Sequence, residues 1–360
     1  MNRARQAHSG FTLVEMLISL GLTSIIMAGA FVVFSQATKL TQLTAETVLV
    51  NRDQSNSTDL IVRDMIQVGQ GLPSTKVVSI PNGTGVTVKR PGPSNMSVPT
   101  GLTDWPAVLP GPGLGPRVAS GPITDVLSLL FADTLFVSST GQSPVATVAG
   151  DGASMTVTAP VTLEVGEIVM FDVSGQNTMQ VVTGVTVNTA SPIVQTVQFA
   201  TGDVFGLNNR TATDGTIKQI QPVANTVFTA TVTRLRMVTY YVDASRTPAA
   251  LVRCLNSQCV GSTPIPGQVV ALGMENLQFS FDIVDGDTNP ANIKMTTTDQ
   301  AGGGACGTDP CSTNQVRKIN LLLTMRSRHK LGQFKDYVHR NLSTQVSLRN
   351  LSFMDRYPKT

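Results

Sequence analysis

Gly10-Phe11-Thr12-Leu13-Val14-Glu15, running straight into the uncharged segment from Met16 to Phe34, decides the architecture of this 360-residue chain. The ten residues up to Gly10 are polar and basic, with Arg3, Arg5 and His8. The 19 residues Met16 to Phe34 are rich in Leu, Ile, Met, Ala and Val. As a helix they would rise about 28 Å, close to the hydrocarbon thickness of a bilayer. The basic end is expected on the cytoplasmic side and the remainder outside. The helical signal does not stop at the membrane. Residues 35–68 hold neither Pro nor Gly, and Leu43, Thr47, Val50, Ile61, Met65 and Val68 recur at helical spacing. Gly69, Gly71 and Pro73 then end the pattern. A helix from Phe11 to Val68 would be about 87 Å long, far more than one membrane requires. Glu15 lies at the margin of the apolar run. A carboxylate at a bilayer centre costs about 2.5–3.5 kcal/mol on insertion scales, so its position calls for a role.

Two readings of this segment compete. A secretory signal peptide would be cut near Ser35-Gln36-Ala37 and leave Thr38 as the first residue. Gly10, however, precedes the apolar run, so a cut there would leave the hydrophobic helix on the mature protein. The run is also too long for an ordinary signal-peptide core, and the helical pattern continues beyond it. Gly10-Phe11-Thr12-Leu13-Val14-Glu15 resembles the type IV prepilin signature. The resemblance implies a leader of residues 1–10, cleavage by a prepilin peptidase between Gly10 and Phe11, and N-methylation of Phe11. It also implies that the Glu15 carboxylate meets the N-terminal ammonium of a neighbouring subunit during assembly. In a low-dielectric filament core neither charge is tolerated alone, so pairing would set the register.

The remainder reads as an exported, β-rich head. Hydrophobic residues make up 41% and charged residues only 14%, with 31 Gly and 20 Pro, so the chain can bury a substantial core rich in turns. Aromatics are 5% with a single tryptophan, Trp105, which argues against an aromatic platform for nucleic acid. Residues 69–122 are dense in Pro and Gly and read as extended loop, with Trp105 as a plug onto the core. Residues 123–233 read as a β subdomain, with strands at Val126–Phe131, Met155–Thr158, Ile168–Val173 and Gln180–Val185. Residues 234–360 read as a second β domain. Its strands are Val238–Val242, Leu277–Ile283, Ile319–Met325 and Thr344–Asn350. The expected fold class is therefore α+β: a long N-terminal helix, transmembrane over 16–34, followed by a head of antiparallel sheets.

Within the C-terminal domain, Tyr240-Tyr241-Val242, Leu251-Val252-Arg253-Cys254, Met274-Glu275-Asn276-Leu277-Gln278-Phe279, a strand ending near Arg326-Ser327 and Val346-Ser347-Leu348-Arg349-Asn350 resemble the PilW-type minor pilins. That resemblance implies a minor subunit of a type IV pilus, at the tip or in an assembly-priming complex, supporting pilus assembly or adhesion. Its implied partners are other pilins and minor pilins, the prepilin peptidase and the inner-membrane assembly platform. Its implied location is the inner membrane as a single-pass protein before assembly, then the pilus, with the head periplasmic or extracellular. A pseudopilin of a type II secretion system shares the same N-terminal device and is the alternative. A further alternative is a DNA-uptake pilus subunit. From Val316 to Thr360, ten Lys/Arg stand against Asp336 and Asp355, a local charge of +8 that leaves −5 on the rest of a +3 chain. Phosphate binding by such a segment would fall steeply with salt. The segment is read in preference as a solvated face, and no nucleic-acid partner is expected.

Four cysteines form two C-x4-C pairs, Cys254/Cys259 and Cys306/Cys311. In an exported chain an even count favours disulfides. Three connectivities are open; local pairs are preferred because each flanks a short polar loop, and a zinc site with all four thiolates is the alternative. Asp282, Asp285, Asp287 and Asn289 offer oxygen ligands that would suit calcium, but the downstream Glu of an EF-hand is missing and Asp-Gly-Asp is also an ordinary turn. No G-x-S-x-G, H-E-x-x-H or P-loop pattern occurs. His329 and His339 read as surface residues. No enzyme activity and no cofactor are expected.

Overall fold

The computed structural model describes residues 12–92, 97–98, 102–158, 160–189, 193–259, 267–284, 293–296, 316–330 and 336–352. The chain divides into two compact units, residues 1–51 with 327–338, and residues 52–326 with 339–360. The first is dominated by helix α1 (Leu13–Gln67), whose last turns belong to the second unit. Absence of Pro and a run of good helix formers let α1 continue unbroken past the membrane-length segment. It stops where Gly69 and Gly71 adopt left-handed backbone, φ +75° and +66°. In the first unit, Ser327 donates from its hydroxyl to the His329 carbonyl at 2.7 Å and from its amide to the Val338 carbonyl at 2.8 Å.

The second unit is the head. In chain order its strands are β1 (Val77–Ser79), β2 (Asp104–Pro106), β3 (Val108–Leu109), β4 (Leu127–Ala132), β5 (Val145–Val148), β6 (Ser154–Thr158), β7 (Ile168–Val173), β8 (Gln176–Val181) and β9 (Gly184–Asn188). They continue with β10 (Val194–Gln198), β11 (Phe228–Asp243), β12 (Ala250–Leu255), β13 (Gln268–Leu272), β14 (Met274–Val284), β15 (Ile293–Thr296), β16 (Val316–Arg326) and β17 (His339–Ser347), and a short helix α2 (Arg349–Ser352) follows. Every strand pairing among the described residues is antiparallel. The α+β expectation, a long apolar helix followed by antiparallel sheets, is what the structure has.

β11 organises the larger sheet. Over its 16 residues it pairs in turn with β5, β7, β4 and β12. Its first half alternates buried and exposed, as a half-covered strand should; from Met237 to Val242 both faces are buried. On one face Tyr241 joins Val126, Ala250, Val252 and Cys254. A second cluster, which includes Phe171, Phe199, Phe228 and Val232, fills the space between β5, β6, β7, β10 and β11; Phe171 and Phe199 meet edge to face at 5.4 Å. The boundary expected at residue 234 falls inside this continuous strand.

A second sheet has the order β15-β14-β16-β17. Strict alternation in β16 buries Ile319, Leu321, Leu323 and Met325. Leu277, Phe279 and Phe281 of β14 lie opposite Leu323, Leu321 and Ile319. Gly273, at φ +86°, carries the chain from β13 in one sheet to β14 in the other; a Cβ there would collide with the Arg326 carbonyl.

Several strands differ from the sequence reading. The single strand expected at Gln180–Val185 is split between β8 and β9, because β8 pairs with β7 and β9 with β10, and the chain changes neighbours at Val182-Thr183. The last strand starts earlier, at His339, and ends at Ser347, so Arg349 and Asn350 lie in α2. The stretch 69–122, expected as loop, includes β1 to β3. It is held by Arg90, a fully buried side chain that donates to the carbonyls of Pro110 (2.6 Å), Leu109 (3.0 Å) and Val126 (3.3 Å). Trp105 in this stretch is completely buried.

Candidate functional site

The N-terminal device begins with a reciprocal cap. Thr12 precedes the first helical residue, and its amide and hydroxyl both donate to Glu15 Oε2, at 3.0 and 2.9 Å. The Glu15 amide donates back to Thr12 Oγ1 at 3.3 Å. This is the Ncap–N3 capping box, and it places a carboxylate at the positive end of the helix. Glu15 itself is exposed. Gly10 and Phe11 lie outside the described residues.

The helix then presents its apolar side chains outward. Leu17, Ile25, Phe31 and Phe34 are each more than 60% exposed, and the apolar window is wholly unburied. The polar residues inside it satisfy themselves: Thr23 and Ser24 hydroxyls donate to the carbonyls of Ser19 (2.7 Å) and Leu20 (2.8 Å). Internal satisfaction of polar groups is what lipid surroundings demand. By length and composition this helix can cross a membrane.

In the head, the last turns of α1 are fixed by a buried ionic cluster. Asp64, 4% exposed at its side chain, accepts from Tyr240 Oη at 2.6 Å and from Arg253 Nε and Nη2 at 2.6 and 3.2 Å. Tyr240 comes from β11 and Arg253, opposite it in register, from β12. Burial, and then the adjacent Asp64 carboxylate, push the Tyr240 phenol far above its usual range. Burial alone would lower the Arg253 pKa, but its bonds to Asp64 and the carboxylate charge raise it on balance. The Tyr240 phenol and the Arg253 guanidinium therefore both keep their protons across the physiological range. Sequence reading missed it, although a signal existed: Asp64 interrupts the apolar stripe Ile61, Met65, Val68.

Cys254 and Cys259 form a disulfide, the local pair, across the β12 end. Within its loop, buried Asn256 donates from its amide to the Met237 carbonyl at 2.7 Å and accepts from the Met237 amide at 2.8 Å, docking the loop on β11. Cys306 and Cys311 lie outside the described residues. So do Asp285, Asp287 and Asn289 of the calcium candidate. The fourth member, Asp282, accepts from Asn320 Nδ2 at 2.9 Å and lies 3.9 Å from Lys318 Nζ, so its oxygens already have partners. Among the described residues, no group of His, Cys, Asp and Glu is gathered to hold a metal.

The two histidines face different carboxylates: His329 Nδ1 lies 3.1 Å from Glu46 and His339 Nδ1 2.7 Å from Glu275. The basic C-terminal segment is likewise engaged locally. Arg326 lies 3.8 Å from Glu275, Arg317 donates to the Leu351 carbonyl at 3.1 Å, and Lys330 sits 5.4 Å from the Tyr337 ring centre.

Residues 5–31 match the prokaryotic N-terminal methylation motif. Among solved structures, a type IV-like pilin from Thermus thermophilus aligns over 84% of this chain and 98% of its own, at 10% identity and a TM-score of 0.31. No curated protein matches the sequence. The chain thus joins a prokaryotic N-terminal methylation motif to a membrane-length apolar helix, and carries an antiparallel β head behind it.

Proposed function

We propose that the protein is a minor type IV pilin, cleaved after Gly10, methylated on Phe11 and built into a pilus through α1, with Glu15 as its assembly contact. The carrying observation is the methylation motif at residues 5–31 leading into an exposed apolar helix that continues into a large β head. An apolar helix left on the mature chain serves first as a single-pass anchor in the inner membrane and then as packing surface in a filament core. The Thr12–Glu15 cap supports the role of the carboxylate. It gives one Glu15 oxygen partners within its own chain until a neighbouring N-terminal ammonium, a stronger partner in a low-dielectric core, replaces them. The expected partners are other pilins and minor pilins, the prepilin peptidase and the inner-membrane assembly platform. A large head disfavours a repeating shaft subunit and favours a position at the tip or in the priming complex, with a structural rather than an enzymatic role.

Mass spectrometry of the protein recovered from its native membrane tests this reading. An N-terminal peptide beginning with monomethylated Phe11 is expected. A chain beginning at Thr38, or one retaining Met1 to Gly10 in the presence of the peptidase, would sink it. Recovery of the processed protein in a sheared pilus fraction, and its loss on Glu15→Ala without loss of processing, separates a pilus subunit from a secretion pseudopilin.

A further inference from the structure

The head has a cavity of about 480 Å³ on the outer face of the second sheet, within the size range of small-ligand sites. Strand alternation and register build its floor. Gln278 of β14, Leu322 of β16 and Ser343 of β17 stand in one row; Ser280, Asn320 and Gln345 stand in the next. Pro112 and Asp125 line it from the preceding loop. Asp125 closes the edge of β14: its amide donates to the Leu277 carbonyl at 2.9 Å, and its carboxylate accepts from the Phe279 amide at 2.9 Å and the Gly113 amide at 2.7 Å.

Two observations define what the cavity suits. Among the described residues its lining contains no Lys, Arg or His, and the one ionisable group there is the Asp125 carboxylate, so an anion would be repelled. The floor is made of side-chain amides and hydroxyls, which donate and accept at short intervals, with Leu322 as an apolar patch among them. The Asn320 amide is held by its Nδ2 bond to Asp282 and its Oδ1 is buried out of reach of the cavity, so the open polar groups are those of Gln278, Ser280, Ser343 and Gln345. We infer that this cavity binds a neutral saccharide unit, held through Gln278 and Gln345 with its apolar face on Leu322. The same lining rejects acidic sugars and nucleic-acid phosphate. The inference concerns the head and is independent of the assembly role proposed above.

Saturation-transfer NMR on the full-length protein tests it, in an amine-oxide detergent because sugar-headed detergents would compete. The probes are N,N′-diacetylchitobiose, lactose and sialyllactose. Saturable transfer to at least one neutral sugar is expected, weakened about ten-fold by Gln278→Ala and by Gln345→Ala. Both side chains lie on the outer face, so Trp105 emission reports whether the fold of each variant is kept. Sialyllactose should bind more weakly than lactose. The inference is overturned if neither neutral sugar shows saturable transfer, if neither substitution weakens it, or if sialyllactose binds as well as lactose. N-terminal processing is unaffected in every case, so the mass measurement fails or succeeds separately.

Discussion

Replacing Asp64 with Ala removes the shared acceptor of Tyr240 and Arg253, and the expected cost follows from what is left behind. The Arg253 side chain is 17% exposed, and Tyr240 is fully buried, so both donors lose a partner that water does not readily replace. Breaking a buried charge pair from one side costs about 3–5 kcal/mol. Tyr240→Phe removes only one bond to a charged acceptor, leaves the Arg253 pair intact, and should cost about 1.5–3 kcal/mol. Replacing the three together, Asp64→Leu, Tyr240→Phe and Arg253→Met, should recover most of the loss, because no polar group is then buried without a partner. Urea unfolding of the full-length protein in detergent measures this, with Trp105 as the reporter: it is the one tryptophan and is completely buried in the same unit. Hydrogen exchange over Arg52–Gln67 supplies a local readout. Those amides should exchange faster in Asp64→Ala, since the cluster ties the last turns of α1 to β11 and β12. The reasoning is refuted if Asp64→Ala costs less than about 1 kcal/mol, or if Tyr240→Phe costs as much as Asp64→Ala.

Two further outcomes are expected. Asp133, 5% exposed, accepts from Arg234 at 2.7 Å and Arg236 at 2.8 Å. Burial alone would raise its pKa, but the bonds from Arg236, the Leu135 amide and Arg234 lower it below the ordinary 3.8. A depressed folded pKa gives stability that is full above the unfolded value and drains as pH falls from 3.8 through the folded value. Melting scans from pH 7 to 3 should therefore show an acid limb that Asp133→Asn flattens, with a loss of about 1.5–3 kcal/mol at pH 7 from the weakened charged bonds; an unchanged limb would refute this. Cys254→Ser opens a disulfide that spans a sequence separation of 5, for which loop-closure entropy gives about 2 kcal/mol. Urea midpoints of the variant and of the reduced wild type should shift together; a shift confined to the variant would show packing, not closure, to be responsible.

The predictions draw on features of differing legibility. The cap at Thr12 and Glu15 spans four residues, and the apolar periodicity of α1 is local, so both could be read directly from the chain. Alternation in β14 and β16 was equally plain, since each buries one face. The error at Gln180–Val185 has a different origin. A continuous β-prone run cannot reveal that its two halves pair with different strands. Nor could the two tyrosines of β11 say which of them would meet Asp64, 176 residues away.

The amino-acid sequence by itself determined the N-terminal methylation motif, the apolar helix that follows it and the end of that helix at Gly69. It also determined the β character of the head, because helix signals and side-chain alternation depend on neighbours a few residues apart. Only the tertiary structure decided that β11 would be the hub of the larger sheet, that Asp64 would be buried between Tyr240 and Arg253, and that polar rows from β14, β16 and β17 would floor one cavity. Those arrangements depend on register between strands far apart in sequence. Their residues acquire partners only when the chain closes upon itself.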